Sequence, residues 1–191
     1  MTPVADPYAG MTRAKWICWW VAKQRQRMGG KEGIMRCLEI GRLRDPKETT
    51  GHSTLHIAAN GGVRELVTVD ANPETRAACL AVIPERLHSK LGFVDADAVD
   101  WLAEAVAVGV EPFDFIYLDG PNEAEACLAI FQLSYGLSRP GTLIMMDDTG
   151  ETNKGILSIP WIKARPDLFA VEHEIPKDKT CHGMTVVRVL Q

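Results

Sequence analysis

Short runs of apolar and β-branched residues alternate along the chain with stretches in which apolar residues recur at helical spacing. The runs predict seven strands, at Met35–Ile40, Leu66–Val69, Leu91–Val94, Phe113–Leu118, Thr142–Met146, Leu168–His173 and Met184–Leu190. Helical spacing predicts helices near 53–60, 73–84, 97–107, 122–136 and 154–164. Strands that alternate with helices in this way are typical of a mainly parallel sheet with helices on both faces.

The end of the chain departs from this alternation, because no helix separates the last two predicted strands. They are joined by the polar, proline-bearing segment Ile175–Thr180, which predicts an antiparallel hairpin. We therefore expect an α/β fold with a doubly wound seven-stranded sheet, mostly parallel, whose last strand is reversed.

A further helix is predicted before the first strand, at Met11–Met28, and it carries Trp16, Trp19 and Trp20. These tryptophans are expected to pack on the domain or on a partner subunit, and a place in the wall of a substrate pocket is the alternative. At 191 residues the chain has the size of one domain. We predict a single domain over 1–191, with a helical extension at 1–33 and the core at 34–191.

Composition excludes several classes of protein. No apolar run approaches the ~20 residues that a membrane span requires, and the N-terminus lacks the pattern of a signal peptide. The five cysteines are dispersed, which favours reduced thiols over zinc or disulfides. No basic patch with interleaved aromatic residues indicates nucleic-acid binding. The expectation is a cytoplasmic protein without membrane or nucleic-acid partners.

Acidic residues follow most of the predicted strands. They are Glu39, Asp70, Asp95, Asp97, Asp119, Asp147 and Asp148. Because ligands bind beyond the carboxyl ends of strands in such sheets, this edge would suit a cationic ligand and would repel a pyrophosphate. The GxGxxG turn of NAD-dependent enzymes is also absent from the sequence. Each acid has a structural alternative, since Asp70 could cap a helix and Asp119-Gly120 could form a plain turn.

The motifs around these acids resemble those of class I S-adenosylmethionine-dependent methyltransferases. In order they are LEIG (38–41), GHST (51–54), VTVDANP (67–73), DADAVDWL (95–102), FDFIYLDG (113–120) and RPGTLIMMDDT (139–149). The resemblance covers residues 34–190 and is strongest to the macrocin and rhamnosyl O-methyltransferases and the cephalosporin-hydroxylase-like proteins, then to the catechol and caffeoyl-CoA O-methyltransferases. It implies a Rossmann-like fold with a reversed seventh strand and O-methylation of a small hydroxylated molecule.

The resemblance also implies a set of cofactor-binding residues. They are Glu39, Gly41, Gly51, Ser53, Asp70, Ala71, Asp97, Ala98 and Asp119. Glu39 and Gly41 would lie beneath the methionine part of S-adenosylmethionine, and Ser53 would help to hold its carboxylate. Asp70 would bind the ribose hydroxyls, and Asp97 and Ala98 would contact the adenine.

Relatives that depend on a metal hold a divalent ion at the positions of Asp119, Asp147 and Asp148. Three neighbouring carboxylates would repel one another strongly without a cation, which favours a site for Mg²⁺ or another divalent ion. Asp119 and Asp147 are then the candidate catalytic residues. If no metal binds, the base could be Asp119, Asp147 or one of three histidines, His52, His56 and His182.

Two departures from the family pattern affect the expected site. The first is the insertion Arg42–Thr50 between Gly41 and Gly51, expected to form a surface loop whose Arg42, Arg44 and Lys47 could touch substrate or the cofactor carboxylate. The second is Asn122, which stands where relatives carry a catalytic Lys or His and cannot act as a base.

Because of Asn122, a non-catalytic S-adenosylmethionine-binding or interaction protein stays an alternative. An aminopropyl transferase, which would share the fold, is another. The expected partners are a small-molecule methyl acceptor and a second copy of the chain, as a homodimer formed through the N-terminal elements.

Overall fold

Seven strands pair side by side into one sheet. The computed structural model describes residues 11–30, 34–42, 52–150, 154–175 and 182–191. The strands are β1 (Met35–Ile40), β2 (Val63–Asp70), β3 (Leu91–Asp95), β4 (Phe113–Leu118), β5 (Ser138–Asp147), β6 (Phe169–Ile175) and β7 (Met184–Val189). Their order across the sheet is β3-β2-β1-β4-β5-β7-β6.

Helices precede or follow the strands as the periodicity predicts. They are α1 (Arg13–Arg27), α2 (Ser53–Ala58), α3 (Glu74–Val82), α4 (Ala98–Val108), α5 (Ala124–Gly136) and α6 (Lys154–Lys163), with a short 3-10 helix at Glu85–Lys90. None of the helices in the described ranges is both long and apolar enough to cross a bilayer.

The predicted topology is confirmed. Strand β1 pairs in parallel with both β2 and β4, so the winding of the sheet reverses between β1 and β4. Strand β7 runs antiparallel to β5 and to β6, which makes it the reversed strand. The segment that joins β6 to β7 lies outside the described residues.

Apolar side chains cover both faces of the sheet. One apolar cluster lies between the sheet and α1, α2 and α3, and it includes Leu66 and Tyr117. The other lies between the sheet and α4, α5 and α6, and it includes Ile116. Trp16 and Trp20 are 3% and 1% exposed, so the first expectation for the tryptophans, packing on the domain, is confirmed for these two. Helix α1 is thus part of the core of this face.

Strand β5 starts earlier than the predicted Thr142. Its first residue, Ser138, pairs with Phe113, and the register shifts before Phe115 pairs with Leu143. The residues in between include Pro140 and Gly141, which are rare inside strands. Because of these two residues, the hydrophobic pattern does not reveal the start of β5.

Cys37, Cys79 and Cys127 are buried and Cys18 is exposed, and Cys181 lies outside the described residues. That the cysteines are reduced thiols stays a prediction.

Candidate functional site

A cleft of about 430 Å³ opens where the sheet reverses its winding, beyond the carboxyl ends of β1, β2 and β4. Five predicted cofactor-binding residues line it, namely Gly41, Asp70, Ala71, Asp97 and Ala98. Its walls also include apolar side chains, among them Val99 and Ile130. A crevice at such a switch point is where doubly wound sheets bind their ligands.

Gly41 forms the floor of this cleft and must be glycine for two reasons. Its φ is +90°, a left-handed conformation that residues with a Cβ rarely adopt. A Cβ at this position would also overlap the backbone carbonyl of Asp119. The N–H of Asp119 donates to the carbonyl of Ile40 (2.8 Å), which holds the ends of β4 and β1 together. The N–H of Gly41 donates to the carbonyl of Val69 in β2 (2.8 Å).

Asp70 is held in place by its own backbone surroundings. Its Oδ2 accepts the N–H of Arg42 at 2.9 Å, and its Oδ1 accepts the N–H of Asn72 at 2.8 Å. The half-buried carboxylate is therefore fixed at the rim of the cleft. Each carboxylate oxygen retains a second lone pair for a ligand hydroxyl.

The expectation that Arg42 lies in a surface loop and touches substrate or the cofactor carboxylate is wrong. Its guanidinium is fully buried and donates to the carbonyls of Asp70 (2.9 Å) and Val94 (2.8 Å) and to Asp95 Oδ1 (2.8 Å). Arg42 therefore ties the ends of β2 and β3 together, and its charge is not available to a ligand. Arg44, Lys47 and Gly51 lie outside the described residues.

Asp97 lines the cleft and also has a structural role. Its Oδ1 caps α4 by accepting the N–H groups of Val99 and Asp100, at 2.8 and 3.2 Å. Asp95, by contrast, is paired with the guanidinium groups of Arg42 and Arg76. Of these two acids, only Asp97 is in the cleft lining.

Glu39 is buried on the face of the sheet covered by α2. Its Oε2 accepts the hydroxyl of Thr54 at 2.6 Å, and its Oε1 has no hydrogen-bond partner among the described residues. Burial raises the pKa of Glu39 to about 7, against the lowering effect of the Ser53, Thr54 and Thr68 hydroxyls. Ser53, the buried first residue of α2, thus lies beside this carboxyl group.

The acids after β4 and β5 form a cluster, as predicted. Asp119, Asp147 and Asp148 each offer a carboxylate oxygen, and these oxygens lie within 4.8 Å of one another. Asp148 has a φ of +54°, a conformation that Asp tolerates better than most residues. No histidine of the described segments belongs to this group of ligand atoms, and the role of His52, His56 or His182 as an alternative base stays a prediction.

Two basic residues that the sequence reasoning missed reach into the acidic cluster. Arg13 of α1 lies 3.0 Å from Asp147 Oδ2, 3.0 Å from Asp148 Oδ1 and 3.8 Å from Asp119 Oδ2. Lys154, the first residue of α6, lies 2.9 Å from Asp119 Oδ1 and 3.4 Å from Asp148 Oδ2. Arg13 lies 135 positions from Asp148 and left no local signal, whereas Lys154 lies only 6 positions after Asp148.

The three acids are not equivalent. The side chain of Asp147 is fully buried and accepts the Tyr117 hydroxyl at 2.6 Å, whereas the side chain of Asp119 is 29% exposed. Burial, together with the charges of Asp119 and Asp148, raises the pKa of Asp147, and Arg13 opposes that rise. Burial disfavours the ammonium of Lys154, but the neighbouring Asp119 outweighs it, so the pKa of Lys154 is raised.

Comparison with known proteins bears on what this edge of the sheet does. A family model described as "Methyltransferase domain" matches residues 49–149, more than half of the chain. A catechol O-methyltransferase of Niastella koreensis is 33% identical in an alignment of 116 residues that covers 58% of this chain and 48% of that protein. The chain thus spans about half the length of this curated relative.

Solved structures share the fold. An O-methyltransferase of Bacillus cereus, solved in complex with SAH, superposes with a TM-score of 0.69 at 23% identity, over 99% of this chain and 84% of that one. The O-methyltransferase TomG of Streptomyces achromogenes, in complex with SAM, gives a TM-score of 0.64 at 15% identity, over 96% and 94%. At these identities the similarity establishes the fold alone.

Proposed function

The chain belongs to the methyltransferase domain family, and from that premise we propose that it transfers the methyl group of S-adenosylmethionine to a hydroxyl of a small molecule. One observation carries the proposal. Five of the nine residues that the resemblance assigns to the cofactor, Gly41, Asp70, Ala71, Asp97 and Ala98, line one cleft at the switch point of the sheet. The other described ones, Glu39, Ser53 and Asp119, are not among its lining residues. The O-methyltransferases among the relatives support the choice of a hydroxyl acceptor.

The cleft fits this cofactor in size and chemistry. Its volume of about 430 Å³ lies in the range of small-molecule sites. The Asp70 carboxylate suits a ribose diol, and the apolar surface of Ala98, Val99 and Ile130 suits a purine ring. Glu39 does not line the cleft, so its place beneath the methionine part of the cofactor stays a prediction.

Asp119 is the residue best placed to receive the acceptor's proton. It is the most exposed acid of the cluster, and the next residue, Gly120, lines the cleft. S-adenosylmethionine supplies, when bound, a methyl group whose carbon–sulfur bond breaks with the electron pair leaving on sulfur. The chain holds the acceptor oxygen in line with that bond, and the hydroxyl proton passes to the Asp119 carboxylate.

A divalent ion at Asp119, Asp147 and Asp148 is the other means of activating a hydroxyl. The residues as arranged do not fit one, because Arg13 and Lys154 already contact the carboxylates that would be its ligands. Asp147 keeps a supporting role, since its buried carboxylate holds Arg13 and Tyr117.

Several finer expectations stay predictions. They concern the single domain over 1–191, the homodimer, the cytoplasmic location, the absence of nucleic-acid and membrane partners, and the narrower likeness to macrocin and rhamnosyl O-methyltransferases.

Cofactor binding tests the proposal directly. Calorimetry with S-adenosylhomocysteine should show one site on the wild-type protein. Asp70→Asn should weaken binding by about 10- to 100-fold, because it removes hydrogen bonds to a charged group worth about 1.5–3 kcal/mol. Asp100→Asn, in the exposed first turn of α4, is the matched control and should bind normally. A wild-type protein that binds neither S-adenosylmethionine nor S-adenosylhomocysteine would refute the function.

Turnover separates an enzyme from a passive binder. Methyl transfer from labelled S-adenosylmethionine to a panel of small catechols, phenols and sugars should be detectable by mass spectrometry. Because Asp119 is not among the residues that line the cleft, Asp119→Asn should bind the cofactor as the wild type does and lose turnover. A wild-type protein that binds cofactor and methylates none of the panel would favour the non-catalytic alternative.

A further inference from the structure

Two protein cations sit among three carboxylates at the ends of β4 and β5. We propose that Arg13 and Lys154 occupy this acidic cluster in place of a divalent metal ion, and that the Lys154 ammonium stabilises the acceptor oxygen during methyl transfer. The second half rests on the proposed function, whereas the first half does not.

The contacts of the carboxylates argue against room for an ion. Asp147 Oδ2 accepts both Tyr117 Oη (2.6 Å) and Arg13 Nε (3.0 Å), and its Oδ1 accepts the N–H of Asp148 (2.9 Å). The oxygens of Asp148 contact Arg13 and Lys154, one each. An ion could reach its ligands only by displacing these donors.

The balance of charge points the same way. Three carboxylates and two basic side chains leave the cluster with one net negative charge. A divalent ion added to the same cluster would reverse the sign and would lie within a few ångströms of a guanidinium and an ammonium. Repulsion at that distance is strong in a partly buried site. The chain thus supplies the positive charge that the three acids require.

The backbone fixes Lys154 where it is. The residue after it, Gly155, lies so close to the loop after β5 that a Cβ would come within 2.7 Å of the Thr149 carbonyl oxygen. The start of α6 is therefore packed against that loop, and the side chain of Lys154 is only 6% exposed. Moving its ammonium away would require α6 to shift or a buried charge to lose its partners.

Lys154 also lies next to the reacting centre assigned above. Its Nζ is 2.9 Å from Asp119 Oδ1, and Lys154 shares a small apolar hole with Gly120 and Pro121, which line the cofactor cleft. A hydroxyl bound at Asp119 therefore lies beside the ammonium. As its proton moves to Asp119, the negative charge that develops on its oxygen is stabilised by Lys154, which keeps its own protons.

Binding of Mn²⁺, followed by electron paramagnetic resonance, tests the first half without reference to activity. Wild-type protein should show no stoichiometric site at millimolar Mn²⁺. Lys154→Ala and Arg13→Gln each remove one blocking cation and should bind Mn²⁺ about tenfold more tightly or better. Lys163→Ala, which removes an exposed lysine from the last turn of the same helix, should behave as the wild type. A wild-type protein with one tight Mn²⁺ site would overturn the proposal.

Kinetics test the second half. Turnover of the wild type should be the same with EDTA as with added Mg²⁺. Lys154→Met should lower kcat by about 10²-fold while leaving the affinity for S-adenosylhomocysteine unchanged, and Lys154→Arg should recover part of the loss. Activity abolished by EDTA and restored by Mg²⁺ would refute the inference. Absence of any turnover would instead count against the proposed function, and the Mn²⁺ measurement would still decide the first half.

Discussion

Glu39 should make the protein less stable as the pH rises, and the substitution Glu39→Gln should remove this dependence. The carboxyl group is buried and burial raises its pKa from 4.5 to about 7. The folded protein therefore holds the Glu39 proton more tightly than the unfolded chain does. Stability contributed by this group is greatest below pH 4.5 and falls as the pH rises from there to 7.

The size of the effect follows from the two pKa values. Their difference, 4.5 against about 7, corresponds to about 3 kcal/mol in the free energy of unfolding at full titration. Most of this should be lost between pH 5 and pH 8. Glu39→Gln keeps the shape of the protonated form and can still accept the Thr54 hydroxyl, so the variant should lack this loss.

Urea unfolding of both proteins at pH 5 and pH 8 measures the difference. Near pH 5 the two should be similar in stability, and at pH 8 the variant should be more stable by about 2–3 kcal/mol. Other titrating groups cancel in the comparison, because both proteins contain them. Glu104→Gln, on the exposed face of α4, shows the effect of removing a surface carboxylate. If the unfolding midpoints of the wild type and the Glu39→Gln variant differed by the same amount at both pH values, the reasoning would be refuted.

Two further substitutions, Gly41→Ala and Asp114→Asn, test the backbone and the buried polar contacts that support the site. Gly41→Ala places a Cβ against the Asp119 carbonyl at a φ of +90°. It should lower the melting temperature by an amount equivalent to at least 1–2 kcal/mol and abolish binding of S-adenosylhomocysteine in calorimetry. Asp114→Asn removes a buried carboxylate that accepts the N–H of Arg36 and pairs with Arg139. It should reduce the free energy of unfolding in urea by about 1–3 kcal/mol and leave cofactor affinity unchanged.

The cleft could be predicted from the sequence because its residues follow directly from strand order. Gly41, Asp70 and Asp97 each come at or just after the end of an apolar run, and parallel strands bring those ends to one edge. Hydrophobic periodicity gives the strands, so local pattern is enough to place these residues together. The same logic placed Asp119 beside Asp147 and Asp148, since β4 and β5 are neighbours.

Residues that act across the fold were beyond that logic. Arg13 contacts Asp148 from 135 positions away, and nothing in the pattern around Arg13 distinguishes it from the other basic residues of α1. Arg42 was misjudged for a related reason. Its place in a polar insertion predicts exposure, whereas the gap between the ends of β2 and β3 offers three oxygen acceptors that bury it.

The acidic cluster shows where an argument from charge is sound and where it stops. Three carboxylates at adjacent strand ends do require a positive charge nearby, because their mutual repulsion in a partly buried site is large. That requirement follows from the sequence, but it does not distinguish a bound ion from a guanidinium or an ammonium of the chain. Only the contacts of Arg13 and Lys154 separate the two answers. Lys154 at the start of α6 brings an ammonium to Asp119, whereas Asn122, in the loop before α5, stands where relatives carry a catalytic Lys or His.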